Sequence, residues 1–463
     1  MSRTYPYAET HGVNRGMPSE GRSRDSIVKE LSEIAASEDA RWETGQCSGT
    51  MYCGDHDHYA FMARVYEQFA HVNALQRDLC PSATRFEGEI IAMTLDMLHG
   101  HAVTDTEPAG MITSGGSGSI LHAVLAYREQ AREKSGINQP NFIKPETGHV
   151  AFDKACHLLG VELRSVPVDP TTGKVDPAEM DAACDSNTIA MMGSACNYGY
   201  GTIDPIEELG QIALRRNIGL HVDGCLGGFI LPWGQELGYD IPLFDYRVPG
   251  VTTISADTHK YGYGFKGTSV LTFRDKALRN GQYFYVTDWT GGKYASPGID
   301  GSRSGGLLAA TWAAMVSFGR DGYMRYAKQI FETAFAMQEA VKSHSELRLV
   351  GDPTFCFSFT SDDFSIYHVN DSLASNGWRL NGQQYPDSIH MAVTRPQIRD
   401  GLVEKWADDL NEAVAYAKDH MDDTPKSAAV YGGVAGGPTP ESDEFIKAIM
   451  ADMMDKMQAL PPL

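Results

Sequence analysis

One lysine in this chain stands where its amine can be stripped of water and held still. The stretch SADTHKYGYGFKG, Ser255 to Gly267, places Lys260 between His259 and a run of small and aromatic residues. A lysine amine is protonated in neutral water. Buried near other positive charge it loses that proton and can form a Schiff base with an aldehyde. Upstream, IGLHVDGCLGGFI reads as a short buried strand delivering Asp223 at its carboxyl end, where open α/β sheets bind ligands. A carboxylate there can keep a pyridine nitrogen protonated. Further upstream, TSGGSGSILHAVLAYREQ is a glycine and serine turn entering an amphipathic helix, and Gly116 and Ser117 fall where free backbone N–H groups make an anion site. Between them lies His149, in ETGHVAFDKAC, whose ring can stack on a flat ligand. Phosphate turn, stacking ring, pyridinium partner and amine, in this order along the chain, suit pyridoxal phosphate (PLP), whose protonated ring takes up electrons.

Taken singly, each feature has a plainer explanation. A lysine beside a histidine is commonly a solvated surface pair, and an Asp ending an apolar strand commonly caps a helix or forms a turn. A Gly/Ser turn need bind nothing, and a lone histidine is usually structural. The conjunction carries the argument. Cys47, Cys53, His56 and His58 cluster in sequence but match no common zinc spacing, so no metal is expected. Cys225, just after Asp223, reads as a small buried hydrophobe.

Around these residues the chain reads as an α/β protein. Its 463 residues, 42% hydrophobic, can bury a large core. Residues 1–55 read as an arm with an amphipathic helix near Ser26 to Ser37, lying on a partner subunit. Residues 56–319 form a large cofactor-binding domain in which helical patterns (Tyr59 to Leu79, Glu87 to Leu98) alternate with apolar runs at Ile189–Met192, Leu220–Asp223, Thr252–Ser255 and Ser269–Phe273. That alternation predicts a mostly parallel sheet. Residues 320–463 form a smaller α+β domain, reached through a long helix from Trp312 to about His344. Its strands fall at Leu347–Val350, Phe355–Phe359 and Ile389–Val393, and its helices at Ile398–His420 and Glu444–Met457. Val430–Pro440 reads as a loop. The net charge of −21 argues against nucleic acid or an anionic membrane as partner. No apolar run is long enough to span a bilayer, and the polar N-terminus is no signal peptide. Eight cysteines without a Cys-x-x-Cys pair suit a reducing cytoplasm.

HVDGCLGGF, ISADTHKYGYGFKGTSVL, TDWTGGKYASPGIDGSRSGG and GWRLNGQQYPDSIH together resemble the sphingosine-1-phosphate lyases, a branch of the PLP-dependent group II decarboxylase family. The resemblance runs from about Pro18 to about Gly436. It implies a PLP-dependent transferase-like fold of type I with a seven-stranded sheet, and a homodimer with active sites at the subunit interface. By the same resemblance Lys260 is the Schiff-base lysine, Asp223 the pyridine partner, His149 the stacking ring, Gly116 and Ser117 the phosphate turn, and His259 another phosphate-side contact. Tyr52 matches a tyrosine reaching in from the neighbouring subunit. Asn73, Lys266 and Ser302, with Arg303 beside them, match positions around the substrate phosphate. Tyr294, and either Tyr198 or Tyr200, match active-site tyrosines. The chain departs from the family at Gln76, where a histidine is usual and charge assistance to a phosphate is lost, at Ser304 in place of a proline, and at Gly224 in place of an alanine. The eukaryotic members carry a membrane anchor before this region, so the resemblance implies a soluble, cytoplasmic, bacterial-type form.

Two enzyme readings share this machinery. If the Cα bond held perpendicular to the PLP ring is Cα–Cβ and Cβ bears a hydroxyl, loss of the hydroxyl proton releases an aldehyde by retro-aldol cleavage. The substrate is then a phosphorylated long-chain amino alcohol, and the products are a fatty aldehyde and phosphoethanolamine. If the bond is Cα–COO⁻, an amino acid is decarboxylated, and Arg395 is a candidate carboxylate anchor, though a surface position suits it better. Lys266 favours the lyase. A non-catalytic binding module is a third reading, against which Lys260, Asp223 and His149 stand together.

Overall fold

The computed structural model describes residues 5–433 and 439–461. Seven strands form the central sheet: β1 (Ala109–Thr113), β2 (Asn141–Pro145), β3 (Glu162–Val166), β4 (Thr188–Ser194), β5 (Gly219–Asp223), β6 (Thr253–Ala256) and β7 (Ser269–Phe273). Their spatial order is β1-β7-β6-β5-β4-β2-β3. Only β7 runs against the rest, since it pairs antiparallel with both β1 and β6 while the other pairings are parallel. The expected mostly parallel sheet of a type I fold is therefore present. All but one of its strands are buried along nearly their whole length, and only β3, at the edge, is largely open to solvent. This is why β4, β5 and β7 read as unbroken apolar runs.

A long helical stretch, Gly305–Lys342, leads to the second sheet. It breaks at Gly319, whose φ of 56° and ψ of −177° are open only to glycine, so two helices meet there at a corner. The second sheet is antiparallel, ordered Arg348–Leu349, Cys356–Thr360, Ser388–Ala392, Asn381–Gln383. The helices Ile366–Ser375 and Leu402–Asp419 pack beside it, burying Trp406, Leu410 and Val414. Helix Tyr59–Leu79 of the sequence reading is shorter, His56–Phe69. The chain leaves it so that Asn73 can pair with Ser304 across a β-bridge, with its side chain closing a turn onto the Leu75 N–H at 3.0 Å. The expected loop Val430–Pro440 begins inside a short helix, Ala428–Tyr431, and its middle lies outside the described residues.

The N-terminal arm divides in two. Its helix, Arg24–Asp39, capped by Ser23, buries no residue. The stretch that follows docks on its own chain rather than standing free for a partner. Ser48 and Gly49 N–H donate to Arg379 and Ala392 carbonyls at 3.0 Å, and the Gln397 amide donates to Gly45 and Cys47 carbonyls at 2.7 and 2.8 Å. Among the described residues no helix is long and apolar enough to cross a membrane.

Candidate active site

Because every strand but β7 points the same way, the loops after β1, β2, β4, β5 and β6 all leave from one edge of the sheet. Those loops carry Gly116, His149, Tyr198, Asp223 and Lys260. Asp223 ends β5 directly beside Ser255 of β6 and Ser194 of β4. The turn after β6 then brings Lys260 back over the same edge, close enough that Asp223 and Lys260 act on each other electrostatically. Asp223 is thus within electrostatic reach of Lys260, although it does not line the cavity that Lys260 opens onto.

Asp223 is buried, yet its pKa lies below the ordinary carboxylate value. Burial pushes it up, but the influence of the neighbouring His149 and His221 rings and hydrogen bonds from Cys225 more than offset this, including a backbone N–H donated at 3.0 Å. His149, exposed on the loop after β2, accepts the Ala151 N–H on Nδ1 at 3.1 Å, which fixes its ring.

The state of Lys260 differs from the expectation. Its ammonium lies 3.1 Å from Oδ2 of Asp257. Burial pulls its pKa down, but Asp257, with help from Tyr52, Cys225 and Asp223, raises it above the ordinary lysine value. A buried carboxylate therefore outweighs desolvation, and without an aldehyde in the site Lys260 is an ammonium. Asp257 is the functional residue that sequence reasoning passed over, although it stood in the quoted motif one helical turn before the lysine. It is 2% exposed, its Oδ2 also faces His259 Nε2 at 3.6 Å, and its Oδ1 has no hydrogen-bond partner among the described residues.

The helix Gly116–Ser135 starts against this carboxylate. A Cβ on Gly116 would meet Asp257 Oδ2 at 2.8 Å and Cys225 Sγ at 3.0 Å, and one on Gly115 would meet the His259 ring at 3.6 Å. Glycine at 116 is what lets the helix start pack this closely on Asp257 and Cys225. Ser117 is exposed at the helix start, and His259 Nδ1 is tied to the Thr268 carbonyl at 2.6 Å, leaving Nε2 toward the site. A helix N-terminus, the His259 ring beside it, an ionised aspartate at a strand end and a lysine within its electrostatic reach fit PLP as a group.

Lys260 and His259 line a cavity of about 360 Å³ together with Tyr52, Cys53, Tyr263 and Lys266. Tyr52 reaches it from its own chain, and the Lys266 ammonium sits over the Tyr52 ring, 4.6 Å from the centroid. Partial desolvation and the Lys260 charge bring the Lys266 pKa down to about 8, and burial pushes Tyr52 up to about 12. The structure separates the two alternative tyrosines. Tyr200 is buried, with its hydroxyl donated to the Tyr385 carbonyl at 2.7 Å. Tyr198 is 46% exposed, stacks on His390 at 4.5 Å, and feels the Lys260 charge.

The remaining candidates gather elsewhere. Asn73 donates to Ser302 Oγ at 2.9 Å, and Arg303 turns inward to pair with Glu87 at 2.8 Å and to reach the Ile112 carbonyl at 2.9 Å. Gln76 is exposed beside them, and Tyr294 lies against Trp289 on a hairpin. None of these five lines the Lys260 cavity. Arg395 is not on the surface; it lies behind the wall of the Lys260 cavity without lining it. Its side chain is 11% exposed and is held by Asp55 and Tyr326 at 3.0 Å each and by Cys53 Sγ at 2.8 Å.

This sheet and this constellation define a PLP-dependent enzyme of fold type I. Residues 6–359 match the pyridoxal-dependent decarboxylase conserved domain. The sphingosine-1-phosphate lyase of Dictyostelium discoideum is 39% identical over 95% of this chain and 82% of its own length, and that of Arabidopsis thaliana 41% identical over 92% and 78%. A solved sphingosine-1-phosphate lyase from Burkholderia pseudomallei superposes with a TM-score of 0.92 at 52% identity, covering 99% of this chain and 100% of that one. A glutamate decarboxylase from Lactobacillus brevis, at 20% identity and a TM-score of 0.73, shares the fold. The chain belongs to the pyridoxal-dependent decarboxylase family, in its sphingosine-1-phosphate lyase branch, and is a PLP-dependent lyase.

Proposed function

We propose that the chain cleaves the Cα–Cβ bond of sphingosine-1-phosphate or a related phosphorylated long-chain amino alcohol, giving a fatty aldehyde and phosphoethanolamine. The observation that carries this reading is Lys266, a second amine in the Lys260 cavity, held over Tyr52 where a phosphate can meet it. The fate of Arg395 supports it against amino-acid decarboxylation, because the one candidate carboxylate anchor is already bound by Asp55.

Bound PLP supplies a protonated ring that accepts the electrons released from Cα. In the proposed assignment Lys260 provides the amine that anchors it, Asp223 faces the pyridine nitrogen, His149 covers the ring, and Gly116, Ser117 and His259 hold the phosphate. Tyr198 rather than Tyr200 works at the reacting carbons, since the Tyr200 hydroxyl is already committed. Partial desolvation of the half-exposed ring raises the pKa of Tyr198, and at neutral pH its phenol is a proton donor, suited to protonating Cα after cleavage. Tyr52 and Lys266 hold the substrate phosphate.

The assignment extends to a homodimer. Asn73, Gln76, Ser302 and Tyr294 lie away from their own cavity, and Phe284, Tyr285 and Trp289 on the Tyr294 hairpin are more than half exposed, which supports a role for this face in completing a partner's site. Eight free thiols support a reducing, cytoplasmic setting.

The test is to incubate the PLP-loaded protein with sphingosine-1-phosphate and, separately, with aromatic and acidic amino acids. Fatty aldehyde with phosphoethanolamine is expected. Carbon dioxide from an amino acid, without aldehyde from the sphingoid phosphate, would overturn the reading.

A further inference from the structure

Behind Asp223 a file of hydrogen bonds runs across the sheet, and the reaction as described leaves it unused. Ser255 Oγ donates to Asp223 Oδ1 at 3.4 Å. His221 Nε2 lies 3.1 Å from the same Oγ, and His221 Nδ1 lies 2.8 Å from Thr253 Oγ1. Tyr127 OH lies 2.6 Å from Thr253 Oγ1. All five residues are buried, with His221, Thr253 and Ser255 at 0% exposure. Phe152 closes the ring of His221 off at 5.5 Å, edge to face.

The carboxylate fixes the sense of the file. An ionised Asp only accepts, so the one Ser255 proton points to it, and Ser255 must then receive a proton from His221. Cys225 Sγ donates to the same Oγ at 3.2 Å. With its Nε2 proton directed to Ser255, neutral His221 accepts on Nδ1 from Thr253, and Thr253 accepts from Tyr127. Thr252 Oγ1 lies 2.7 Å from the Tyr127 hydroxyl and 3.0 Å from the Leu220 carbonyl, so it can donate to either and leave the single Tyr127 proton on Thr253. Each donor in the file thus points toward Asp223. A chain of bonds aligned this way polarises in one direction and stabilises negative charge at its end.

We propose that His221 and Ser255 are positioning residues that hold Asp223 ionised and oriented, and so set how strongly the site prefers a ligand with a protonatable ring nitrogen. This rests on the assignment of Asp223 to the pyridine nitrogen and adds to it the groups that make a buried aspartate serve there. Burial drives the pKa of His221 down to about 4, in keeping with the neutral ring the file requires.

The test compares PLP with its carbocyclic analogue, in which CH replaces the ring nitrogen. Both carry the same aldehyde and phosphate, so the ratio of their dissociation constants reports the Asp223 contact alone. Absorbance titration would be run on the wild type and on Ser255→Ala, His221→Leu and Asp223→Asn, with circular dichroism melts of each protein before loading. Ser255→Ala removes a single oxygen from the core, and His221→Leu is the second probe of the same file. The expected result is that both cut the preference for PLP over the analogue by about tenfold, or about 1.4 kcal/mol, with analogue affinity unchanged. Asp223→Asn should abolish the preference. An unchanged ratio in both variants, or parallel weakening of both ligands, would overturn the proposal while leaving the Asp223 assignment in place. A preference that survives Asp223→Asn would overturn the Asp223 assignment and this proposal with it.

Discussion

At Lys266, an exposed residue, partial desolvation of the ammonium and the neighbouring Lys260 charge bring its pKa down to about 8, within reach of an ordinary buffer series. The group is a cation below that value and neutral above it. Affinity for a phosphorylated ligand should therefore be greatest below about pH 8 and fall as pH rises through it. Lys266→Met should raise KM for the phosphorylated substrate about tenfold to a hundredfold, the worth of one charge-assisted hydrogen bond, and flatten the pH profile of KM. A KM that keeps its pH dependence in this variant would place the phosphate elsewhere. The two tyrosines give a second contrast. Tyr198→Phe should lower kcat by about a hundredfold or more, as loss of a proton donor does. Tyr200→Phe should spare kcat and cost about 1 kcal/mol of stability, the net worth of its bond to Tyr385. Stopped-flow rates and denaturant melts on the two proteins decide the assignment.

The elements matter through how closely they approach one another. The helix that begins at Gly116 can start only where no side chain intrudes on Asp257, so Gly116→Ala should weaken PLP binding by more than about tenfold and also lower the melting temperature of the unloaded protein, since the added Cβ would lie 2.8 Å from Asp257 Oδ2 and 3.0 Å from Cys225 Sγ. Equal PLP affinity would mean the helix start lies off the cofactor. Arg395 joins the segment before Asp55 to the second sheet, so Arg395→Met should cost about 2 kcal/mol and expose residues 42–55 to limited proteolysis. How far these elements could be read from the sequence depended on burial. Ser269–Phe273 was legible to the residue, and β4 and β5 to within two, because both faces of those strands are covered. β3 was not, since its edge position leaves Glu162 exposed and Leu163 and Arg164 half-buried, so no apolar run marks it. β2 was hidden by Lys144, which is buried but satisfied by the Gly148 carbonyl at 3.0 Å and Asp153 at 2.6 Å. Among site residues, Lys260, Asp223 and the Gly116 turn announced themselves by residue type at the end of a strand or the start of a helix. Asp257 and His221 did not, because their importance lies in which neighbour they face. The choice between Tyr198 and Tyr200 rested on where each hydroxyl goes, and that is set by a carbonyl far along the chain.

On the scale of the whole molecule, the acidic protein places two amines, Lys260 and Lys266, in one cavity and leaves a second cluster, Asn73 with Ser302, away from it. If that cluster serves a partner, mixing subunits carrying Lys260→Ala with subunits carrying Ser302→Ala should restore activity that neither homodimer has, because one site in each mixed dimer is then intact. Mixtures as inactive as their parents would mean each chain works with its own residues alone. The account as a whole depends on covalent attachment at one position. Borohydride reduction of the PLP-loaded protein, followed by peptide mass spectrometry, tests this most directly. The account predicts a reduced pyridoxyl group on the peptide bearing Lys260, and its loss when Asp223→Ala prevents loading. Attachment at Lys266 or another lysine, or none at all in a protein that still cleaves substrate, would contradict it.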